Sequence, residues 1–138
     1  MIDLSQLLFG FSGRINRAKY WIAAAVYLAI MLIVMLLFFV LGLGVLFYVA
    51  VAVLYIAMLI SGIAVGIKRL HDRDKSGWWL LLFYVVPGVL GGIGAATGGL
   101  HWLFDVPSWA ISLWALIELG FLRGTSGSNQ YGPDPLAS

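Results

Sequence analysis

The densest set of groups able to do chemistry lies mid-chain, in residues 66–79. Lys68, Arg69, His71, Asp72, Arg73, Asp74 and Lys75 are ionisable, and Ser76, Gly77, Trp78 and Trp79 follow them. Guanidinium groups offer paired donors that match a phosphate, and an ammonium adds point charge. His71 beside Asp72 can move a proton only if the backbone folds the two together. Asp72 and Asp74 alternate, so an extended loop points them apart and a helix sets them about 200° apart. One metal held by both would need a turn, and no metal site is expected. Ser76 fits a helix N-cap, whose oxygen accepts from a free backbone N–H. It lacks the flanking pattern of a nucleophilic serine.

Three further groups stand outside this stretch. Arg14, Arg17 and Lys19 form a basic cluster around Asn16. Asn129 and Tyr131 offer a neutral hydrogen-bonding group and an aromatic cap from a tail rich in Gly, Asn and Pro. Glu118 is the one charged residue in the interior of an expected membrane span. An acid there serves either as a proton or cation relay or as an ion-pair partner snorkelling to the nearby interface. His101 and Asp105 read as loop residues on the opposite side.

The elements that position these groups follow from composition. The 138 residues are 62% hydrophobic and 10% charged, with a mean hydropathy of +1.02. Roughly a quarter of a soluble domain is charged, so this chain lacks the polar surface to face water all round. The expectation is a single membrane domain over residues 1–138, with spans at about 20–41, 45–67, 78–96 and 103–122. Gly42, Leu43 and Gly44 make the tight turn between the first two spans. Ahead of them, Leu4, Leu7, Leu8 and Phe11 recur at helical spacing, which predicts a short amphipathic segment lying on the membrane. Pro87 and the surrounding glycines interrupt the third span, which neighbouring helices tolerate in lipid. The fourth starts near Ser108, with Pro107 in its first turn, or near Trp102. The earlier start is preferred, because the 15 residues from Ser108 to Leu122 cover only about 22 Å. The spacings Gly62/Gly66, Gly88/Gly92 and Gly94/Gly98 suit close helix contacts within or between chains.

All eight Lys and Arg residues fall before the first span, between the second and third, or after the fourth. The positive-inside rule puts that face, with both termini, in the cytoplasm. The fold class is all-α, an integral membrane four-helix bundle. The chain has no cysteine, which excludes disulfides and thiolate ligands. Net charge is +2 without an extended basic stripe, so nucleic acid is not an expected partner. No secretory leader is expected, and the first span serves as an uncleaved anchor.

Three stretches carry a family resemblance. Phe11, Gly13, Arg14, Arg17, Tyr20 and Trp21 fit F-x-G-R-x-x-R-x-x-Y-W. Arg69, Leu70, His71, Asp72, Ser76, Gly77, Trp78 and Trp79 fit R-L-H-D-x-x-x-S-G-W-W. Gly124, Thr125, Gly127, Asn129, Tyr131, Gly132, Asp134 and Pro135 fit G-T-x-G-x-N-x-Y-G-x-D-P. The chain resembles the domain of unknown function 805 family, the YhaH-like bacterial inner-membrane proteins. The resemblance implies a small multi-pass inner-membrane protein and supplies no mechanism.

The residues support three function classes. The first is binding or scaffolding at the cytoplasmic leaflet. Arg14, Arg17, Lys68, Arg69, Arg73 and Asn129 would hold an anionic phospholipid headgroup, without catalysis or a cofactor. A homo-oligomer or another membrane protein is a further expected partner. The second is a transporter or channel component using Glu118 and the Gly/Pro-broken third helix. The third is an enzyme acting on a lipid headgroup through His71, Asp72 and Asp74.

Overall fold

The computed structural model describes residues 3–41 and 44–137, so the turn expected at Gly42 and Leu43 lies outside the described residues. The protein is all-helical. Helix α1 (Leu4–Phe9) is followed by α2 (Arg17–Leu41), α3 (Val45–Asp72), α4 (Val86–Ala96) and α5 (Trp102–Leu116). Two π-helical turns interrupt the ends of the second hairpin, Leu81–Val85 before α4 and Ile117–Phe121 after α5. Three helical stretches are long and apolar enough to cross a membrane: Arg17–Leu41, Val45–Asp72 and Gly98–Phe121. The apolar stretch Leu81–Ala96 is shorter.

Several boundaries differ from the sequence expectation, each for a local reason. Helix α2 starts at Arg17 rather than near Tyr20, because the Asn16 side-chain oxygen accepts from the Lys19 N–H at 3.0 Å. Helix α3 runs five residues past its expected end, to Asp72. Cations suit a helix C-terminus, and Lys68 and Arg69 both find acceptors there. The charged loop therefore shrinks to the few residues after Asp72. At the next start, the backbone carbonyls of Ser76 and Gly77 accept from Trp79 and Leu80, so a turn rather than the Ser76 hydroxyl begins the third span. Pro87 sits in the first turn of α4. A proline ring clashes with the carbonyl four residues back, and the π-turn at Leu81–Val85 gives that carbonyl a different register. The preferred early start of the fourth span is borne out: α5 begins at Trp102, so Pro107 lies inside it rather than in its first turn.

The core is lopsided. Helices α2 and α3 form one hairpin, α4 and α5 the other, and α4 packs along α5. The hairpins meet where the second π-turn lies against α2 and α3. Away from that end, the helix backbones of the two hairpins do not approach one another among the described residues. Both buried apolar clusters sit at the same end. One joins Leu70, Leu80, Phe83, Ala115 and Leu119 across the hairpins. The other joins Leu7, Ile15, Ala23 and Val65 beneath α1, so Leu7 faces the protein while Leu4 and Phe11 stay exposed. The glycine spacings divide. A Cβ at Gly66 would meet Leu80 and Tyr84, and one at Gly94 would meet Asp105, whereas Gly62, Gly88 and Gly92 face open space.

Candidate functional site: a polar node where three motifs meet

Asp72 ends α3 and is buried. A lone buried carboxylate is costly unless paired, and Asp72 is paired twice. Arg14 donates to Oδ1 from Nε and Nη2, at 3.2 and 3.1 Å. Arg69 donates to Oδ2 from Nη1. Both arginines are buried too, and each has donors left over. Arg14 turns its remaining N–H groups onto the tail, 2.7 Å from the carbonyls of Thr125 and Gly127 and 3.2 Å from that of Gly132. Arg69 reaches the C-terminal end of the fourth span, 2.7 Å from the Leu119 carbonyl and onto that of Leu122. One buried acid and two buried guanidiniums thus tie together residues far apart in the chain.

The second π-turn explains what Arg69 captures. A helix end leaves carbonyls without intrahelical partners, and here cations and an indole take them up. Trp21 Nε1 donates to the Gly120 carbonyl at 2.9 Å, and Arg17 to that of Phe121 at 3.4 Å. The same turn buries Glu118 and aims it back at the loop. Its Oε1 lies 2.9 Å from both Arg73 Nε and Lys75 Nζ. Lys75 also lies 4.8 Å above the Trp79 ring, a cation–π distance. Lys68 repeats the pattern on the other side, with Nζ 2.6 Å from the carbonyls of Gln6 and Leu7 at the end of α1.

The tail folds onto this assembly. The Thr125 N–H and hydroxyl both donate to the Asp72 carbonyl, at 2.8 and 3.0 Å. Asn129 Nδ2 donates to the His71 carbonyl at 2.8 Å. The His71 ring stacks on Tyr131, with centroids 3.8 Å apart and planes 3° off parallel. A Cβ at Gly124 would overlap the Asp72 carboxylate, so this position needs glycine for its close approach. Asp134 closes a tail turn by accepting from the N–H groups of Gly127 and Leu136, both at 2.9 Å. Those bonds hold its carboxyl below the usual range.

The expected anion-binding set is therefore brought together at one end, but its members differ in what they have left to offer. Arg14, Lys68 and Arg69 are buried against carbonyls and Asp72. Arg73 is held by Glu118 and the Arg123 carbonyl, and Asn129 by His71 and Thr125. Arg17 is exposed, with its single long bond to Phe121. Among the acid–base candidates, Asp72 faces inward and Asp74 outward, where Gln130 donates to it at 3.2 Å. His71 Nδ1 lies 3.2 Å from the Gly13 carbonyl. Among the described residues no three His, Asp or Glu side chains converge as metal ligands. His101 and Asp105 pair with each other at 2.7 Å, at the other end of the molecule.

Sequence reasoning missed two participants. Arg123 makes no side-chain hydrogen bond among the described residues. It lines, with Arg17, a cleft of about 260 Å³ at the start of α2. Its position as the lone basic residue after the fourth span was the available signal. Trp21 stands in the first motif, and its hydrogen bond to Gly120 has no sequence signature.

Comparison with known proteins identifies relatives along almost the whole chain. No solved structure matches the chain. Uncharacterized protein YiiR of Escherichia coli strain K12 is 37% identical over 136 residues, covering 96% of this chain and 90% of the relative. Inner membrane protein YhaI of the same strain is 34% identical over 127 residues, covering 91% and 86%. Inner membrane protein YhaH is 30% identical over 132 residues, covering 91% and 87%. The sequence pattern of the family described as protein of unknown function (DUF805) matches residues 8–133, a range that takes in the first two motifs whole and the third as far as Gly132. The chain belongs to the DUF805 family.

Proposed function

We propose that this is a multi-pass inner-membrane protein, with its termini and polar node in the cytoplasm, that binds an anionic lipid headgroup without catalysing a reaction. YhaI and YhaH, both named inner membrane proteins, support the membrane assignment. The distribution of Lys and Arg supports the orientation. The observation that carries the binding reading is the cleft between Arg17 and Arg123. Neither guanidinium has a carboxylate partner among the described residues, and backbone N–H groups at the start of α2 add a favourable dipole for an anion. Asp72 and Asp134 also line the cleft, but the first is neutralised by Arg14 and Arg69 and the second is turned to backbone N–H groups. Phosphate in this position would take paired donors from either arginine. Glu118, clasped by Arg73 and Lys75, supports a fastening role over a relay.

The test is native mass spectrometry of the protein released from mild detergent with its endogenous lipids. A discrete phosphatidylglycerol or cardiolipin adduct is expected, and it should be lost in an Arg17→Gln, Arg123→Gln double variant. An adduct retained equally by that variant would overturn the reading. Orientation is checked separately by single cysteines at Ser126 and Gly99, in a chain with no native cysteine. A membrane-impermeant maleimide added to intact spheroplasts should label only the second.

A further inference from the structure

A second cavity, of about 380 Å³, opens sideways between α3 and the first π-turn. Its walls are apolar, with Ile63 and Ile67 from one side and Leu81 and Val85 from the other. Its size falls in the range of small-molecule sites. Three polar side chains with hydrogen-bonding capacity to spare line it among the described residues: His71 at the water end, the indole N–H of the largely exposed Trp78, and Tyr84 further in.

The His71 ring is fixed in place and in tautomer. A carbonyl can only accept, so Nδ1 carries the proton that Gly13 receives, and in the neutral ring Nε2 is left as an acceptor. Stacking on Tyr131 holds the ring plane. Nε2 makes no hydrogen bond among the described residues. The Tyr84 hydroxyl lies beside Gly66, close enough that a Cβ there would sit 3.4 Å from it, and it too makes no hydrogen bond among the described residues. Gly66 is five residues before His71 in α3, about 7 Å along the axis. The cavity thus offers an acceptor at the interface, a hydroxyl about 7 Å deeper, and apolar walls beyond. Trp78, largely exposed at the mouth, marks the headgroup level.

We propose that this cavity binds an uncharged glycerolipid of the diacylglycerol type. Its free hydroxyl donates to His71 Nε2, an ester carbonyl accepts from the Tyr84 hydroxyl, and one acyl chain runs past Ile63 and Val85 into the gap between the hairpins. The chemistry argues against a charged headgroup here, since no cationic side chain lines the cavity. This site is separate from the Arg17–Arg123 cleft and does not depend on it.

The experiment uses the full chain in nanodiscs with a diacylglycerol carrying a diazirine in one acyl chain, located by peptide mass spectrometry after illumination. Labelling should concentrate in residues 63–67 and 81–85. Unlabelled dioleoylglycerol should compete and dioleoylphosphatidylglycerol should not. Tyr84→Phe removes one hydroxyl with no internal bond lost, and should weaken competition roughly five- to tenfold. His71→Phe keeps the stack and should weaken it similarly. Labelling spread along all lipid-facing helix surfaces, equal competition by the anionic lipid, or no change in Tyr84→Phe would each overturn the proposal.

Discussion

The end of the molecule where α3 stops and the end where α2 turns back toward α3 are held by different means. At the first, buried Arg14 and Arg69 bridge Asp72 to backbone carbonyls, and Arg73 and Lys75 hold buried Glu118, around two small apolar cores. At the second, Phe39, Val45 and Leu46 are each at least three-quarters exposed. The helices there are separated by an apolar groove of about 530 Å³ between residues such as Met31, Phe38 and Tyr55. Phe38 stacks on Phe47 with centroids 6.1 Å apart, one of the few contacts across that region. In water this far half would be unstable. In lipid, acyl chains are as good a neighbour as another leucine, so apolar packing alone gives little reason for helices to meet. Polar contacts then decide where the bundle closes, and this chain concentrates them at one end.

That contrast can be broken most severely at Asp72. Asp72→Ala leaves Arg14 and Arg69 buried without a counter-charge, and should destabilise the fold by about 3–5 kcal/mol. Denaturant unfolding in detergent micelles, followed by circular dichroism, measures it. Gly124→Ala forces a methyl onto a carboxylate that two arginines prevent from moving. A cost of roughly 1–3 kcal/mol is expected, visible as faster protease cleavage after residue 124. Glu118→Gln removes the charge shared by Arg73 and Lys75, both partly exposed, and should cost about 1–2 kcal/mol in the same unfolding assay. Phe39→Ala, at the far end, should shift stability by less than about 0.5 kcal/mol; a loss as large as that of Asp72→Ala would erase the distinction between the two ends. The smallest effect concerns pH. The folded Asp134 carboxyl titrates below its ordinary value of 3.8, so its contribution is fully present above that value and fades as pH falls through the lower folded one. Amide exchange at Gly127 and Leu136 should rise relative to intrinsic rates only in that acidic window.

Much of this was legible in the sequence because hydropathy and charge act locally. Long uncharged runs marked the helices, and the absence of Lys and Arg from the opposite loops collected three distant motifs on one face. The partners within that face were not legible. Arg69 and Lys68 satisfy helix-end carbonyls, and any residue's carbonyl can play that part, so nothing in residue type announces Leu119 or Gln6. The π-turns were hidden for a similar reason: a one-residue change of register leaves composition untouched. Within the expected anion-binding set, burial against carbonyls and Asp72 uses up donors of Arg14 and Arg69, while Arg17 stays exposed. Arg123, outside the motif letters, keeps its own.

The carbonyls that receive Arg14 lie on residues 125, 127 and 132, more than a hundred positions later. During synthesis, every helix is polymerised before those acceptors exist. Until they arrive, the guanidinium that anchors the start of α2 has only Asp72. The tail therefore acts as a completion signal written into the fold. A chain cut short of residue 125 would contain every helix, yet leave Arg14 without its three carbonyl acceptors and Asp72 without the cover of Gly124 and Thr125.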